Sequence, residues 1–125
     1  MKDIKISNEL LNYVFTDNLQ TFKVDKIENN ILYYFWLDEG FYGDESNCKW
    51  EKQNINIYEF AFKCKEWAEN KGYIIFSKNK ECLIYSIDEV YDVIECLNQY
   101  EDYFEANTEI ESIVKACNWI LENIK

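Results

Sequence analysis

The chain has 125 residues, and its length fits one domain with a hydrophobic core of its own. Hydrophobic residues make up 48% of it and aromatic residues 18%, which excludes a disordered acidic tail. The formal net charge is −11, and all 13 basic residues are lysine, so the planar arginine fork that binds phosphate is missing. We therefore expect neither direct binding to nucleic acid nor docking on anionic membranes.

Cysteine usage and the lack of an apolar targeting segment predict a cytoplasmic protein. The cysteines are odd in number and widely spaced, and no CxxC pair occurs, which argues against a zinc ribbon or a redox motif. They are Cys48, Cys64, Cys82, Cys96 and Cys117. No window approaches the roughly 18 apolar residues of a membrane span, and no apolar signal core follows the N-terminal charges. We predict buried, reduced thiols.

The first half of the chain predicts a short helix followed by a β-hairpin. Ser7 is a suitable N-cap for a helix over Asn8–Phe15. Two runs rich in β-branched and aromatic residues, 21–27 and 31–37, flank Glu28-Asn29-Asn30. Because asparagine tolerates positive φ, this spacing predicts a hairpin. Within it we expect Trp36 to be a core residue.

A long acidic loop and a helix are predicted next. Residues 38–54 hold two glycines and several acids and predict a loop, which could contain a short strand near 48–51. Trp50 is then more exposed than Trp36. Asn56 is a suitable N-cap, and Gly72 is a suitable left-handed C-cap. Between them apolar residues recur at helical spacing: Ile57, Phe60, Ala61, Cys64, Trp67 and Ala68.

The remaining pattern predicts strands and a final helix. Strands are expected over 73–77 and 82–87 around a turn at 78–80, and another over 102–106. Residues 88–97 fit a helix and a strand, and we favour a helix. Thr108 and Glu111 form a T-x-x-E capping box before an apolar stripe, which predicts a C-terminal helix.

Together these elements predict an α+β fold, with an antiparallel sheet packed against two main helices and an N-terminal helix and β-hairpin attached. We expect a single domain over 1–125, with the helix, hairpin and acidic loop in 1–54 and a helix–strands–helix unit in 55–125. That unit has the element order of a double-stranded-RNA-binding domain. The likeness is one of fold alone, since the basic residues that grip RNA are missing.

Three segments carry a resemblance: INIYEF at 55–60, KCKEWA with KGY over 63–73, and KACNWILEN at 115–123. This pattern resembles small uncharacterised phage- or prophage-type proteins of AT-rich bacteria. The resemblance covers about Ile55 to Lys125, with a weaker likeness over 4–14. It implies a genomic setting, and it carries no activity, cofactor or catalytic residue over to this chain.

The residue types present argue against an enzyme. Without histidine, the commonest general base and both the Ser-His-Asp and Cys-His systems are missing. No glycine-rich phosphate loop occurs. Asp38, Glu39, Asp44 and Glu45 flank two glycines and could hold Ca²⁺, but their spacing is not that of an EF-hand. A solvated or partner-contacting loop is the alternative, and we predict no metal and no cofactor.

The most informative feature is a run from Glu81 to Val114 with ten carboxylates and no lysine. A solvated surface is the common reason for such a run. This run, however, has no interspersed cations, and it carries tyrosine and phenylalanine, which are good interface anchors. Because like charges repel, it predicts a surface for a basic partner. The candidate partner-binding residues are Asp88, Glu89, Asp92, Glu95, Glu101, Asp102 and Tyr103, with Asp44 and Glu45 as a second patch.

The leading functional hypothesis is therefore a non-enzymatic phage anti-defence inhibitor that blocks a basic, nucleic-acid-handling host protein, such as a CRISPR effector. Its carboxylates could imitate phosphates. One alternative is an immunity or antitoxin protein for a basic toxin. A third is a nucleotide sponge that uses lysines, namely Lys63, Lys65, Lys71, Lys78 and Lys80. Exposed aromatic residues could also form a dimer contact.

Overall fold

The computed structural model of the chain describes residues 5–16, 21–38, 49–86 and 102–124. Its helices are α1 (Asn8–Phe15), α2 (Ile57–Asn70) and α3 (Glu109–Ile124). Its strands are β1 (Phe22–Glu28), β2 (Ile31–Asp38), β3 (Lys49–Asn56), β4 (Tyr73–Lys78), β5 (Glu81–Ser86) and β6 (Asp102–Glu105). These elements form two units, one over Lys5–Phe60 and the other from Ala61 onward. The predicted α+β class is confirmed.

The first sheet is antiparallel and has the order β1-β2-β3. The predicted hairpin is confirmed: Asn29 and Asn30 have φ of 53° and 63°, the left-handed values that a two-residue hairpin turn requires. A β-bulge between Val24 and Lys26 shifts the register of β1. The structure adds β3 to the hairpin as a third strand. The predicted loop is therefore wrong over 49–54. The short strand that the sequence suggested near 48–51 is longer than expected, since β3 extends to Asn56.

Helix α1 packs on β1 and covers the open edge of the first sheet. Ser7 caps the helix as predicted, since its Oγ accepts the Leu10 N–H at 3.0 Å. Asn12 is only 1% exposed. Its Oδ1 accepts the N–H groups of Thr21 and Phe22 at 2.9 and 2.7 Å, and its Nδ2 donates to the Phe22 carbonyl at 2.7 Å. The side-chain amide thereby forms hydrogen bonds to the edge of β1 that a neighbouring strand would otherwise form.

Aromatic rings fill the space between α1 and the first sheet. The Phe15 ring lies 5.0 Å from that of Phe22, 5.3 Å from that of Tyr34 and 5.8 Å from that of Phe60. Such edge-to-face and tilted pairs are favourable beyond the area they bury. The burial of Leu10 and Leu11 completes this core.

Helix α2 begins and ends where the sequence predicts, and the predicted hairpin follows it, with β4 and β5 each extending one residue further into the turn than predicted. Asn56 Oδ1 accepts the Tyr58 N–H at 2.8 Å and so caps α2. Gly72 follows the helix with φ of +93°, a backbone conformation that residues other than glycine rarely adopt. Asn79 has φ of 56° in the turn between β4 and β5. These strands form the second antiparallel sheet, with the order β4-β5-β6.

Helix α3 packs across all three strands of the second sheet. The predicted capping box is present: Thr108 Oγ1 accepts the Glu111 N–H at 3.1 Å. The Glu111 carboxylate accepts the N–H of Asn107, one residue before the cap, at 3.2 Å. The sulfur of Cys82 and the hydroxyl of Ser112 lie 3.0 Å apart and link strand and helix. The buried residues of α3 are Ile110, Ser112, Ile113, Val114, Ala116, Cys117, Ile120 and Leu121.

Several sequence predictions concern single residue types. The three described cysteines, Cys64, Cys82 and Cys117, are buried and free, as predicted. Trp50 is 39% exposed, which confirms its outward position, whereas Trp36 is half-buried and not a full core residue. Within the described ranges, no helix has the length and apolar character that a membrane crossing requires. The helix favoured over 88–97 lies outside the described residues.

Candidate functional site

Only two of the predicted partner-binding residues lie in the described part of the chain, and both belong to β6. They are Asp102 and Tyr103. Because neighbouring side chains in a strand point to opposite faces, Asp102 and Tyr103 do not share a face of the second sheet. The other predicted residues lie outside the described residues; they are Asp44, Glu45, Asp88, Glu89, Asp92, Glu95 and Glu101. Of the proposed Ca²⁺ loop, Glu39 also lies outside them, whereas Asp38 is the last residue of β2.

The face of the second sheet opposite α3, called here the outer face, carries an exposed aromatic row. Phe76, Leu83 and Tyr103 are directly opposite one another across β4, β5 and β6. Phe76 is 52% exposed and Tyr103 is 38% exposed. The Phe76 ring contacts that of Tyr85 edge-on, with 5.2 Å between centroids. Tyr85 lies further from the turn between β4 and β5 and is only 2% exposed. The exposed part of the outer face is therefore the part next to that turn.

A second row on the outer face is charged and lies next to the aromatic row. In it Lys78 is opposite Glu81, and Glu81 is opposite Glu105. Neither glutamate forms an ion pair with another described residue. Like charges directly opposite each other in a sheet are destabilising. The outer face therefore presents two carboxylates that form no ion pair with a described residue. Lys78 is the cross-strand neighbour of Glu81, and the Lys115 ammonium donates to the backbone carbonyl of Glu105 at 2.8 Å.

Tyr103 connects the two rows of the outer face. Its hydroxyl donates to Glu105 Oε1 at 2.5 Å. The hydrogen bond to Glu105 raises the pKa of Tyr103 well above its ordinary value, with smaller contributions from desolvation and from Glu81. Ionisation of the phenol would place a third negative charge beside the two carboxylates, which is why the neutral form is favoured.

Charges in the first sheet are arranged differently, because its lysines have partners. The distance from the lysine Nζ to the nearest carboxylate oxygen is 2.9 Å for Lys26 and Glu28, 3.8 Å for Lys52 and Asp25, and 3.8 Å for Lys49 and Glu51. The Lys23 ammonium sits 4.0 Å from the centroid of the Trp50 ring. The first sheet thus mixes both signs of charge, as a solvated surface does.

An open polar groove of about 780 Å³ lies at the start of α3. Its lining residues are Lys78, Asn79, Lys80, Glu81, Asn107, Thr108 and Glu109. It brings together two of the lysines that the sequence suggested for a nucleotide site. Two glutamates accompany them, and Glu109 accepts a hydrogen bond from the Ser77 hydroxyl at 2.6 Å. The charges in the groove are therefore balanced.

Sequence reasoning missed Phe76, Glu81 and Glu105 as members of a common surface. The alternation of β4 shows that Phe76 points away from the buried Ile75. Nothing in the sequence sets the register of β6 against β5, which decides that Tyr103 lies beside Leu83. Within the described residues, no three side chains of metal-binding type come together.

Comparisons with protein-family models, with curated proteins and with solved structures find no match to this chain.

Proposed function

We propose that the protein is a non-enzymatic binding protein that blocks a basic, nucleic-acid-handling host protein. In this proposal it is a phage-type inhibitor that acts in the host cytoplasm against a defence nuclease, such as a CRISPR effector. The candidate contact residues remain the acidic run around Asp88–Tyr103 and the second patch at Asp44 and Glu45.

One observation carries the proposal: Glu81 and Glu105 oppose each other beside exposed aromatic rings, with no ion pair to a described residue. The first sheet offsets its charges with lysines, whereas this face leaves two carboxylates for an external cation. Opposite-charge complementarity speeds association and selects against wrong partners. A basic nucleic-acid-binding cleft has the matching charge, because it neutralises phosphates.

The test is an affinity capture from host lysate at low and high salt, followed by a nuclease assay with the purified captured protein. The variant Glu95→Lys, Glu101→Lys, Asp102→Lys is compared with Glu59→Lys, Glu66→Lys, Glu69→Lys, which changes the net charge equally on α2. We expect the wild type and the α2 variant to capture and inhibit one basic protein in a salt-dependent manner. Equal capture and inhibition by both triple variants would contradict the proposal.

An immunity or antitoxin protein would use the same surface and differ only in its target. In that case the captured protein is a toxin, and the assay measures its toxicity in cells. The observation behind a nucleotide sponge is different, namely Lys78 and Lys80 beside the start of α3. A nucleotide-binding titration, with Lys80→Gln as the comparison, separates that function from the binding of a protein.

A further inference from the structure

The outer face of the second sheet places exposed aromatic rings in one row and, in the adjacent row, two carboxylates that form no ion pair with a described residue. We infer that this face binds an arginine-bearing segment of the partner, with guanidinium groups over the aromatic row and between Glu81 and Glu105. This inference rests on the proposed function, because it names the chemistry of the partner that the protein would block.

The aromatic row suits a guanidinium better than an ammonium. Phe76 and Tyr103 are half-exposed rings on either side of Leu83. A guanidinium is planar and weakly hydrated, so it stacks on aromatic faces, whereas the lysine ammonium is compact and strongly hydrated. We therefore expect the outer face to bind arginine side chains more tightly than lysine side chains.

Within the described residues, the carboxylate pair keeps most of its hydrogen-bond acceptor sites unused. Tyr103 donates one hydrogen bond to Glu105 Oε1, and an ionised carboxylate has about four lone-pair sites. Directly opposite residues in antiparallel strands have Cβ atoms about 5 Å apart. A guanidinium carries five N–H donors in a fork, so one group can bridge both glutamates and relieve their repulsion.

Lys78 determines which side of Glu81 the guanidinium takes. It is exposed and lies opposite Glu81 on β4, while Glu105 lies opposite Glu81 on β6. An incoming cation is repelled from the β4 side and attracted to the β5–β6 side. Removing the Lys78 charge should consequently strengthen binding, an effect that a purely structural role for this surface would not produce.

The test titrates fluorescein-labelled nona-arginine and nona-lysine peptides into the full chain at low ionic strength and measures anisotropy. We expect the arginine peptide to bind more tightly than the lysine peptide. Glu81→Gln and Glu105→Gln should each weaken it about three- to fivefold, and Phe76→Ala about threefold. Lys78→Gln should tighten it by about twofold.

The matched controls are Glu66→Gln and Phe62→Ala, which remove the same groups from exposed positions on α2, where Phe62 is 63% exposed. Equal effects of the control and outer-face variants would overturn the inference, as would equal affinity for both peptides. All variants change exposed side chains, and urea midpoints verify that they fold.

The two proposals fail in different ways. If the captured host protein binds Phe76→Ala and Glu105→Gln as it binds the wild type, the outer face is not its site, and the proposed function then depends on the acidic run around Asp88–Tyr103 alone. If the triple variant Glu95→Lys, Glu101→Lys, Asp102→Lys inhibits the host protein normally, the proposed function fails whatever the peptides show.

Discussion

The side-chain amide of Asn12 pairs with both backbone polar groups of Phe22, at 2.7 Å for each bond. Phe22 lies on β1, the edge strand of the first sheet, whose outward N–H and C=O groups have no neighbouring strand among the described residues. Unpaired strand edges are sites of unwanted association. Asn8, one helical turn earlier, accepts the Val24 N–H at 2.7 Å, so two asparagines of α1 cover the edge.

We predict that Asn12→Ala lowers the free energy of unfolding by about 3 kcal/mol, because three backbone groups lose their partners. Asn8→Ala is the matched control. Its Oδ1 bond to Val24 is exposed, so the loss should be about 1 kcal/mol. Urea unfolding followed by tryptophan fluorescence measures both values. Equal losses would show that the amide of Asn12 is not an edge partner.

Gly72 provides a prediction about backbone conformation alone. A Cβ at this position would meet no heavy atom within 4 Å, and φ is +93°. Gly72→Ala should therefore destabilise the protein by about 1 kcal/mol through strain, without a steric clash. Gly72→Asn should lower the free energy of unfolding less than Gly72→Ala does, since asparagine tolerates left-handed conformations. The midpoints of urea unfolding compare the two variants, and a lower midpoint for Gly72→Asn than for Gly72→Ala would contradict this explanation.

The phenol of Tyr103 should titrate above the ordinary tyrosine value of 10.0, because its neutral form donates to Glu105. NMR of ¹³C-labelled tyrosine measures this titration, and Tyr103→Phe assigns the signal. Glu105→Gln should lower the Tyr103 pKa more than Glu81→Gln does, since Glu105 is the larger cause. Glu28→Gln, in the other sheet, is the control and should leave the titration unchanged.

The raised pKa of Tyr103 also decides how stability depends on pH. In the unfolded chain the phenol ionises at its ordinary value, while in the folded chain it stays neutral to higher pH. The stabilisation is thus fully present below pH 10.0 and declines as pH rises toward the folded value. The difference in unfolding free energy between the wild type and Tyr103→Phe should shrink above pH 10.0; a constant difference would contradict the linkage.

The buried thiols of Cys64 and Cys117 should resist alkylation in the native protein. Burial raises the pKa of Cys64, and the neighbouring thiol of Cys117 adds to the effect. Since the thiolate is the nucleophile, iodoacetamide should react only after the protein opens. Peptide mapping by mass spectrometry should show both cysteines unmodified without urea and modified in it. Rapid native labelling of either would place that residue at an accessible surface.

Strong local signals allowed several elements to be predicted. The Thr108–Glu111 box and the apolar stripe after it predict α3, and Asn29-Asn30 predicts the first hairpin turn. The strand β3 was not predictable over its length, because its residues are mostly polar. Its eight residues pair with β2 from Ile31 to Asp38, and this pairing outweighs their weak strand propensity.

Residue types and short-range patterns were enough to establish the α+β class, the excess of negative charge, the helix caps and the turn positions. Each of these depends on composition or on contacts between residues a few positions apart. Tertiary contacts, in contrast, were needed for two relationships. The packing of α1 on β1 places Asn12 on the strand edge, and strand pairing brings Phe76, Tyr103, Glu81 and Glu105 onto the outer face. The second relationship depends on the register of β6 against β5, which side-chain pattern alone leaves open.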